Sequence, residues 1–174
     1  MPVKLTYVSD PVADPALLPH WLTLGRLTLP GQPQHVRLAR RFVADTIGAA
    51  HRRCGAALLL TSELVTNAVT HSRSGRPGGT LDLVVSATCS ALLVSVTDEG
   101  SESGLPAIRT PPGGTNGNGL VLVDRLSDGW GYRHDGSRTM VWFRLRTVGP
   151  PAGGPTVALS GAVAGQGYRL SIPE

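Results

Sequence analysis

Three polar side chains recur four residues apart in the run "SELVTNAVTHS", residues 62–72. Glu63, Asn67 and His71 therefore share one side of a helix, because four residues make about one helical turn. A carboxylate in such a place can act as a general base. The side-chain oxygen of an asparagine one turn later is a hard ligand that suits Mg²⁺. This spacing also arises by chance in many helices, so the pattern needs partners elsewhere in the chain.

The composition of this helix favours a functional edge over an ordinary solvated face. Solvated faces normally use Lys, Glu, Arg and Gln, which form helices well, whereas Thr, Asn and His form them less well. Thr66 and Thr70 lie on the same arc as the three polar residues. The opposite arc is apolar and carries Leu58, Leu64, Val65, Ala68 and Val69.

Two more polar residues lie at the ends of inward-facing rows on predicted strands. In "ALLVSVTD" (91–98), Asp98 closes the row, because alternate residues of a strand share a face. Gly100 follows and leaves room for a flat ligand, so this pair suits an adenine whose amino group donates to the carboxylate. In "RTMVWFRLR" (138–146), Thr139 opens the inward row and would meet Asp98 if the strands are antiparallel neighbours. The alternatives are an Asp that ends its strand in solvent and an ordinary β-branched Thr.

The stretch "GGTNGNGLVLVDRL" (113–126) joins glycines directly to a predicted helix. Exposed backbone N–H groups at such a junction can form a cradle for phosphate, although a simple turn is the alternative. The Gly- and Pro-rich residues 99–117 before it predict a flexible lid. A dinucleotide-dependent oxidoreductase is disfavoured, because "GNGLVL" lacks the third small residue and no repeated strand–helix–strand pattern surrounds it.

The order of elements predicts an α+β fold, a two-layer sandwich of a mixed, mainly antiparallel sheet with helices on one face. The pattern gives a strand at 21–29, a helix within 30–50, a helix over 55–72, strands at 79–87 and 91–98, a helix near 118–128, and strands at 129–134 and 138–146. We expect one folded domain over 21–147. An irregular segment (1–20) precedes it, and a loosely attached Gly/Pro-rich tail (148–174) follows.

Bulk composition excludes several classes of protein. Cys54 and Cys89 lack metal-ligand spacing, so we expect two core cysteines, with neither a disulfide framework nor a zinc site. The net charge is +4, but the arginines are scattered, which disfavours direct nucleic-acid binding. No signal-like segment or apolar run of membrane-spanning length occurs. We therefore expect a cytoplasmic protein without a membrane segment.

Taken together, "ELVTNAVTH", "DEG…GLP", "GNGLVLVDRL" and "GSRTMVWFRL", in this order, resemble the Bergerat-type (GHKL) ATP-binding fold. That superfamily includes gyrase, heat-shock chaperones, histidine kinases and mismatch-repair ATPases. The resemblance covers about residues 31–146. Within the superfamily the chain is most similar to bacterial anti-sigma-factor serine kinases and to short regulatory ATPases of actinobacteria.

The resemblance implies a role for each matched residue in binding ATP and Mg²⁺. Glu63 is implied to be the catalytic base, Asn67 the Mg²⁺ ligand and Asp98 the carboxylate that reads adenine. The other positions implied to bind the nucleotide are Gly100 beside the adenine, Gly117, Gly119 and Leu120 near the phosphates, His71 near the phosphates, and Thr139 supporting the aspartate.

Two functions follow from the resemblance. The first is an ATP- and Mg²⁺-dependent protein serine kinase that acts as an anti-sigma factor by partner switching. It would sequester a sigma factor and phosphorylate an antagonist protein, and relatives of this kind often form homodimers. The second is a catalytically weak, nucleotide-gated protein-binding module. Glu63 favours the kinase, whereas Glu102, which replaces the second glycine of the family's D-x-G-x-G motif, favours the module.

Overall fold

The computed structural model describes residues 21–101, 119–135 and 137–147, and the backbone of three short strands outside them. The long helices are α1 (Val36–Ile47), α2 (Cys54–His71) and α3 (Gly119–Leu126). Short 3₁₀ turns occur at Pro33–His35 and Arg73–Gly75. The strands are β1 (Leu5–Tyr7), β2 (Leu22–Pro30), β3 (Thr80–Ala87), β4 (Ala91–Asp98), β5 (Gly129–His134), β6 (Thr139–Arg146), β7 (Leu159–Ser160) and β8 (Arg169–Leu170).

Six strands form the main sheet, in the order β1-β5-β6-β4-β3-β2. β1 pairs with β5 in parallel, and every other neighbouring pair in this sheet is antiparallel. β6 therefore lies between β4 and β5, although α3 and β5 separate it from β4 in the sequence. This order brings the end of β4 beside the start of β6.

Apolar residues from the helices and from one face of the sheet share a single core. Alternate residues of each strand point to the same face, so the strands supply one half of this core. Val94 and Val96 on β4 and Val141 and Phe143 on β6 are examples. The buried residues of α2 supply much of the other half: Ala57, Leu60, Leu64, Val65 and Ala68. Leu93 and Trp142 belong to a separate small cluster, and none of its members within the described residues lies on a helix. These observations confirm the predicted two-layer α+β sandwich.

The predicted strands and helices are found within a few residues of their expected bounds. α1 begins only at Val36, because Pro33 and its neighbours form a 3₁₀ turn. Strand β1 was not anticipated within the segment expected to be irregular. The prediction of a core position for Cys89 is wrong, since this residue lies exposed in the β3–β4 turn, whereas Cys54 is buried. The predicted lid falls almost entirely outside the described residues.

Among the described residues, no helix combines the length and the apolar character that crossing a membrane requires.

Candidate functional site

The polar edge of α2 forms as the sequence predicts. Apolar side chains spaced three and four residues apart bury one face of this helix, and so turn the opposite edge away from the core. Glu63 and Asn67 are half-buried on that edge, while His71 is exposed at the end of the helix. The carboxylate and the amide thus lie one turn apart, at the border between core and solvent.

Helix α3 begins directly against this edge. A β-carbon added to Gly119 would lie 2.6 Å from Glu63 Oε2 and 3.5 Å from Asn67 Nδ2. A contact of 2.6 Å is too short for a carbon atom, so glycine lets the first residue of α3 approach the Glu63 carboxylate. The next residue, Leu120, is buried in the main core and anchors the start of the helix. Gly117 lies outside the described residues.

Asp98 is buried at the end of β4, only 7% exposed. Its Oδ1 accepts a hydrogen bond from the Gly100 N–H at 2.7 Å. Gly100 has φ +74, a left-handed conformation that favours glycine. Burial raises the pKa of Asp98 to about 6, against the opposing effects of the Gly100 N–H and of Arg138, His134 and Arg73. The carboxylate is therefore ionised, and an acceptor, above about pH 6.

Thr139 is buried and lies directly across from Asp98 in the register of β4 and β6, as predicted. On its other side it is in register with His134 of β5. The hydroxyl Oγ1 of Thr139 and Nδ1 of His134 lie 3.0 Å apart, within hydrogen-bond distance. Sequence analysis missed His134, since nothing in "GWGYRH" indicates which strand its last residue adjoins.

A second residue that sequence analysis missed links α2 to Asp98. Arg73 follows α2 by two residues, and its side-chain Nε donates to the carbonyl oxygen of Glu99 at 2.8 Å. Its backbone N–H donates to the Gly100 carbonyl at 2.8 Å. From its residue type and position alone, Arg73 would be expected only to interact with the helix dipole, as cations near a helix C-terminus commonly do. The structure instead bonds it to the turn that follows Asp98.

Residues 29–145 match the family described as the histidine kinase-like ATPase domain, which is more than half of the chain. The chain belongs to this family. Membership of an ATPase family implies that the domain binds a nucleotide. It also agrees with the GHKL resemblance carried by the four sequence motifs.

This histidine kinase-like ATPase domain is also similar to a solved structure, that of the RsbU and RsbW domains of Rv1364c from Mycobacterium tuberculosis. The TM-score is 0.53 at 18% identity, a likeness that shows the fold. The match covers 70% of this chain and 32% of the solved chain, so the domain spans about a third of that protein's length. No curated protein matches the domain.

The residues of this ATPase-family domain fit a nucleotide and a magnesium ion. The buried Asp98 carboxylate can accept from an adenine, and the half-buried Asn67 offers an amide oxygen one turn from the Glu63 carboxylate. Within the described ranges, no group of three or more His, Cys, Asp or Glu residues could hold a metal. Mg²⁺ needs no such cage, because it takes most of its ligands from water and substrate phosphates. Asn67 would supply the protein ligand.

Proposed function

We propose that this domain binds ATP with Mg²⁺ and acts as a regulatory protein serine kinase, an anti-sigma factor that works by partner switching. One observation carries the proposal. A carboxylate and an amide, Glu63 and Asn67, share an edge of α2 against the glycine that begins α3. The resemblance of the sequence to anti-sigma-factor serine kinases, together with the fold likeness to a chain that contains an RsbW domain, supports the choice of this kinase class.

The nucleotide would lie along α2. Adenine would bind at Asp98 and Gly100, and Mg²⁺ would bind at Asn67. Helical rise puts Glu63 and His71, the last residue of α2, roughly 12 Å apart along the helix axis, and Arg73 follows two residues later. This leaves length for a triphosphate between the two ends of the site. A sigma factor and an antagonist protein would be the partners.

ATP, when bound, would supply the γ-phosphoryl group, whose bond to the β-phosphate oxygen breaks so that ADP leaves. Glu63 would accept the proton of a serine hydroxyl on the antagonist, so that the serine oxygen becomes a better nucleophile. Bases in this role typically contribute 10²- to 10⁴-fold to the rate. The new phosphoserine would carry close to two negative charges and release the antagonist from the interface by repulsion and desolvation.

Two variants separate binding from catalysis. Asn67→Ala should weaken MgATP binding at least about 10-fold, because a charged-group contact of this kind is worth roughly 1.5–3 kcal/mol. Glu63→Gln should bind MgATP like the wild type but lose phosphotransfer by roughly 10²-fold or more. Calorimetry measures the first effect, and transfer of radiolabelled phosphate to candidate antagonist proteins measures the second.

Asp45→Asn is the matched control, since Asp45 is a carboxylate on α1 that is 72% exposed. It should leave both measurements unchanged. Unaltered MgATP affinity in the Asn67 variant would show that the metal assignment is wrong. A wild-type protein that ignores ATP would overturn the proposal as a whole.

The alternative, a nucleotide-gated binding module with little catalysis, rests on Glu102. A carboxylate beside the nucleotide phosphates would oppose their charge, and Glu102 stands where the family's motif has glycine. The same experiment decides between the two functions. MgATP binding without phosphate transfer to any antagonist would favour the module.

A further inference from the structure

Arg73 bonds three carbonyl groups from two separate turns. Its backbone N–H donates to Gly100 O at 2.8 Å, and its Nε donates to Glu99 O at 2.8 Å. Its Nη2 donates to Ser137 O, also at 2.8 Å. Glu99 and Gly100 form the turn after β4, while Ser137 belongs to the turn between β5 and β6. One side chain thus joins the end of α2 to both turns beside Asp98.

The neighbouring residue strengthens the same junction. The buried hydroxyl of Ser74 donates to Thr80 O at 2.5 Å and accepts the Glu99 N–H at 2.9 Å. The Glu99 carboxylate in turn accepts from the backbone N–H and the hydroxyl of Thr80, at 3.0 and 3.1 Å. The backbone between Asp98 and Gly100 is therefore fixed from α2 and from the start of β3.

Gly100 is packed against the groups that Arg73 holds. A β-carbon on Gly100 would lie 2.6 Å from Ser137 O and 3.4 Å from Arg73 Nη2. Because this glycine also donates to Asp98 Oδ1, any shift of the turn would move the carboxylate. The position of the Asp98 carboxylate therefore depends on the contacts of Arg73.

We propose that Arg73 is a positioning residue for the nucleotide, which holds the adenine-reading turn, Asp98–Gly100, against the end of the helix that carries Glu63 and Asn67. The inference deepens the proposed function and rests on it. The adenine end and the metal end of the site lie on different elements, and Arg73 fixes the distance between them. Arginine suits this task because its planar guanidinium offers several donors in fixed directions, whereas lysine offers a single charged nitrogen.

Two variants test the geometry. Arg73→Lys keeps the charge but cannot reproduce both side-chain hydrogen bonds. It should weaken the binding of ATP and the binding of ADP by the same factor, roughly 10-fold. Equal losses are expected because the contacts of Arg73 lie at the adenine end and not at the γ-phosphate. Arg73→Gln removes the charge as well. Arg41→Gln is the control, since Arg41 is 80% exposed on α1, and calorimetry should show unchanged affinity for both nucleotides.

The pH profile of binding supplies a readout that loss of folding would not give. The charges facing Asp98 are those of Arg138, His134 and Arg73, and all three lower its pKa. Removing one of them raises that pKa. The midpoint at which ADP affinity falls on acidification should therefore move to higher pH in Arg73→Gln and stay in place in Arg73→Lys.

The outcomes distinguish the two proposals. If the wild type binds neither nucleotide, the proposed function fails. If the wild type binds both and the two Arg73 variants bind them equally well with the same pH midpoint, the positioning role fails. A loss of affinity confined to ATP would also overturn the positioning role, because it would place Arg73 at the γ-phosphate.

Thermal unfolding monitors whether each variant is folded. If Arg73→Gln does not fold, the test rests on Arg73→Lys, which is the milder change.

Discussion

At the scale of single residues, ionisation of the buried Asp98 lowers the stability of the fold. Burial raises its pKa from the ordinary 3.8 to about 6, so the folded state holds this proton more tightly than the unfolded state does. Between about pH 4 and pH 6 the free energy of unfolding therefore falls as pH rises, and above pH 6 the full penalty is present. The proposed binding of an adenine would require the ionised carboxylate, and hence the less stable form.

Asp98→Asn should relieve this penalty. The amide keeps an oxygen for the Gly100 N–H, so at pH 7 the free energy of unfolding should rise by up to about 3 kcal/mol, since each pKa unit corresponds to about 1.4 kcal/mol. Nucleotide binding should be lost, because the acceptor for the adenine is altered. Urea denaturation at pH 5 and pH 7 checks the first point and calorimetry the second. A variant less stable than the wild type at pH 7 would contradict the assignment of burial as the dominant cause.

At the scale of elements, the contact between α2 and α3 can be tested through one glycine. Gly119→Ala would place a methyl group against Glu63 Oε2, the movable end of a side chain. Alanine is preferred to glycine by roughly 1 kcal/mol inside a helix and by less at a first position such as this one. We therefore expect unchanged or slightly higher stability together with reduced phosphotransfer, because Glu63 must move aside. Thermal unfolding and the radiolabel assay measure the two effects.

Gly31→Ala is the contrasting variant. Its methyl group would meet the backbone oxygen of Ser74, at a separation of 1.9 Å. A backbone atom cannot turn away as a carboxylate can, so the chain itself must shift. Such overpacking should lower the free energy of unfolding by roughly 1–3 kcal/mol. Equal stability losses in the two glycine variants would mean that Glu63 is held rigidly in place.

At the scale of the whole molecule, the end of the sheet away from the candidate site has its own polar junction. Asp128 Oδ2 accepts from Arg53 Nη2 at 2.8 Å and from the Arg146 N–H at 2.7 Å. This ties the start of α2 to the end of β6. Thr139 and Arg146 mark opposite ends of that strand, roughly 23 Å apart at about 3.3 Å per residue.

Asp128→Ala should therefore lower stability without changing nucleotide affinity. Loss of the charged acceptor should reduce the free energy of unfolding by roughly 1–2 kcal/mol, a value discounted because both side chains are about 30% exposed. Urea denaturation and ADP calorimetry on the same sample provide the check. A change in ADP affinity would show that the two ends of the sheet are coupled.

The sequence alone was enough to predict the helices and strands between residues 21 and 147 and to propose the residues of the site. Periods of two and of 3.6 residues follow from backbone geometry, so they revealed the strands and the polar edge of α2. The same periods placed Asp98 and Thr139 at the ends of inward rows, and the register of β4 and β6 confirms that they are paired. Residue type then indicated a carboxylate for adenine and an amide for a metal.

Only the tertiary structure decided which separate segments touch. Contacts such as that of Arg73 with Ser137 join residues far apart in sequence, and no local pattern encodes them. The pairing of Thr139 with His134 likewise depends on β6 lying between β4 and β5. Cys89 was misplaced for the same reason, since composition predicts a buried residue and only the path of the chain sets it in an exposed turn. The periodicity of the sequence determines on which face of a helix or strand each side chain lies. Which other element that face contacts is determined by the packing of the whole chain.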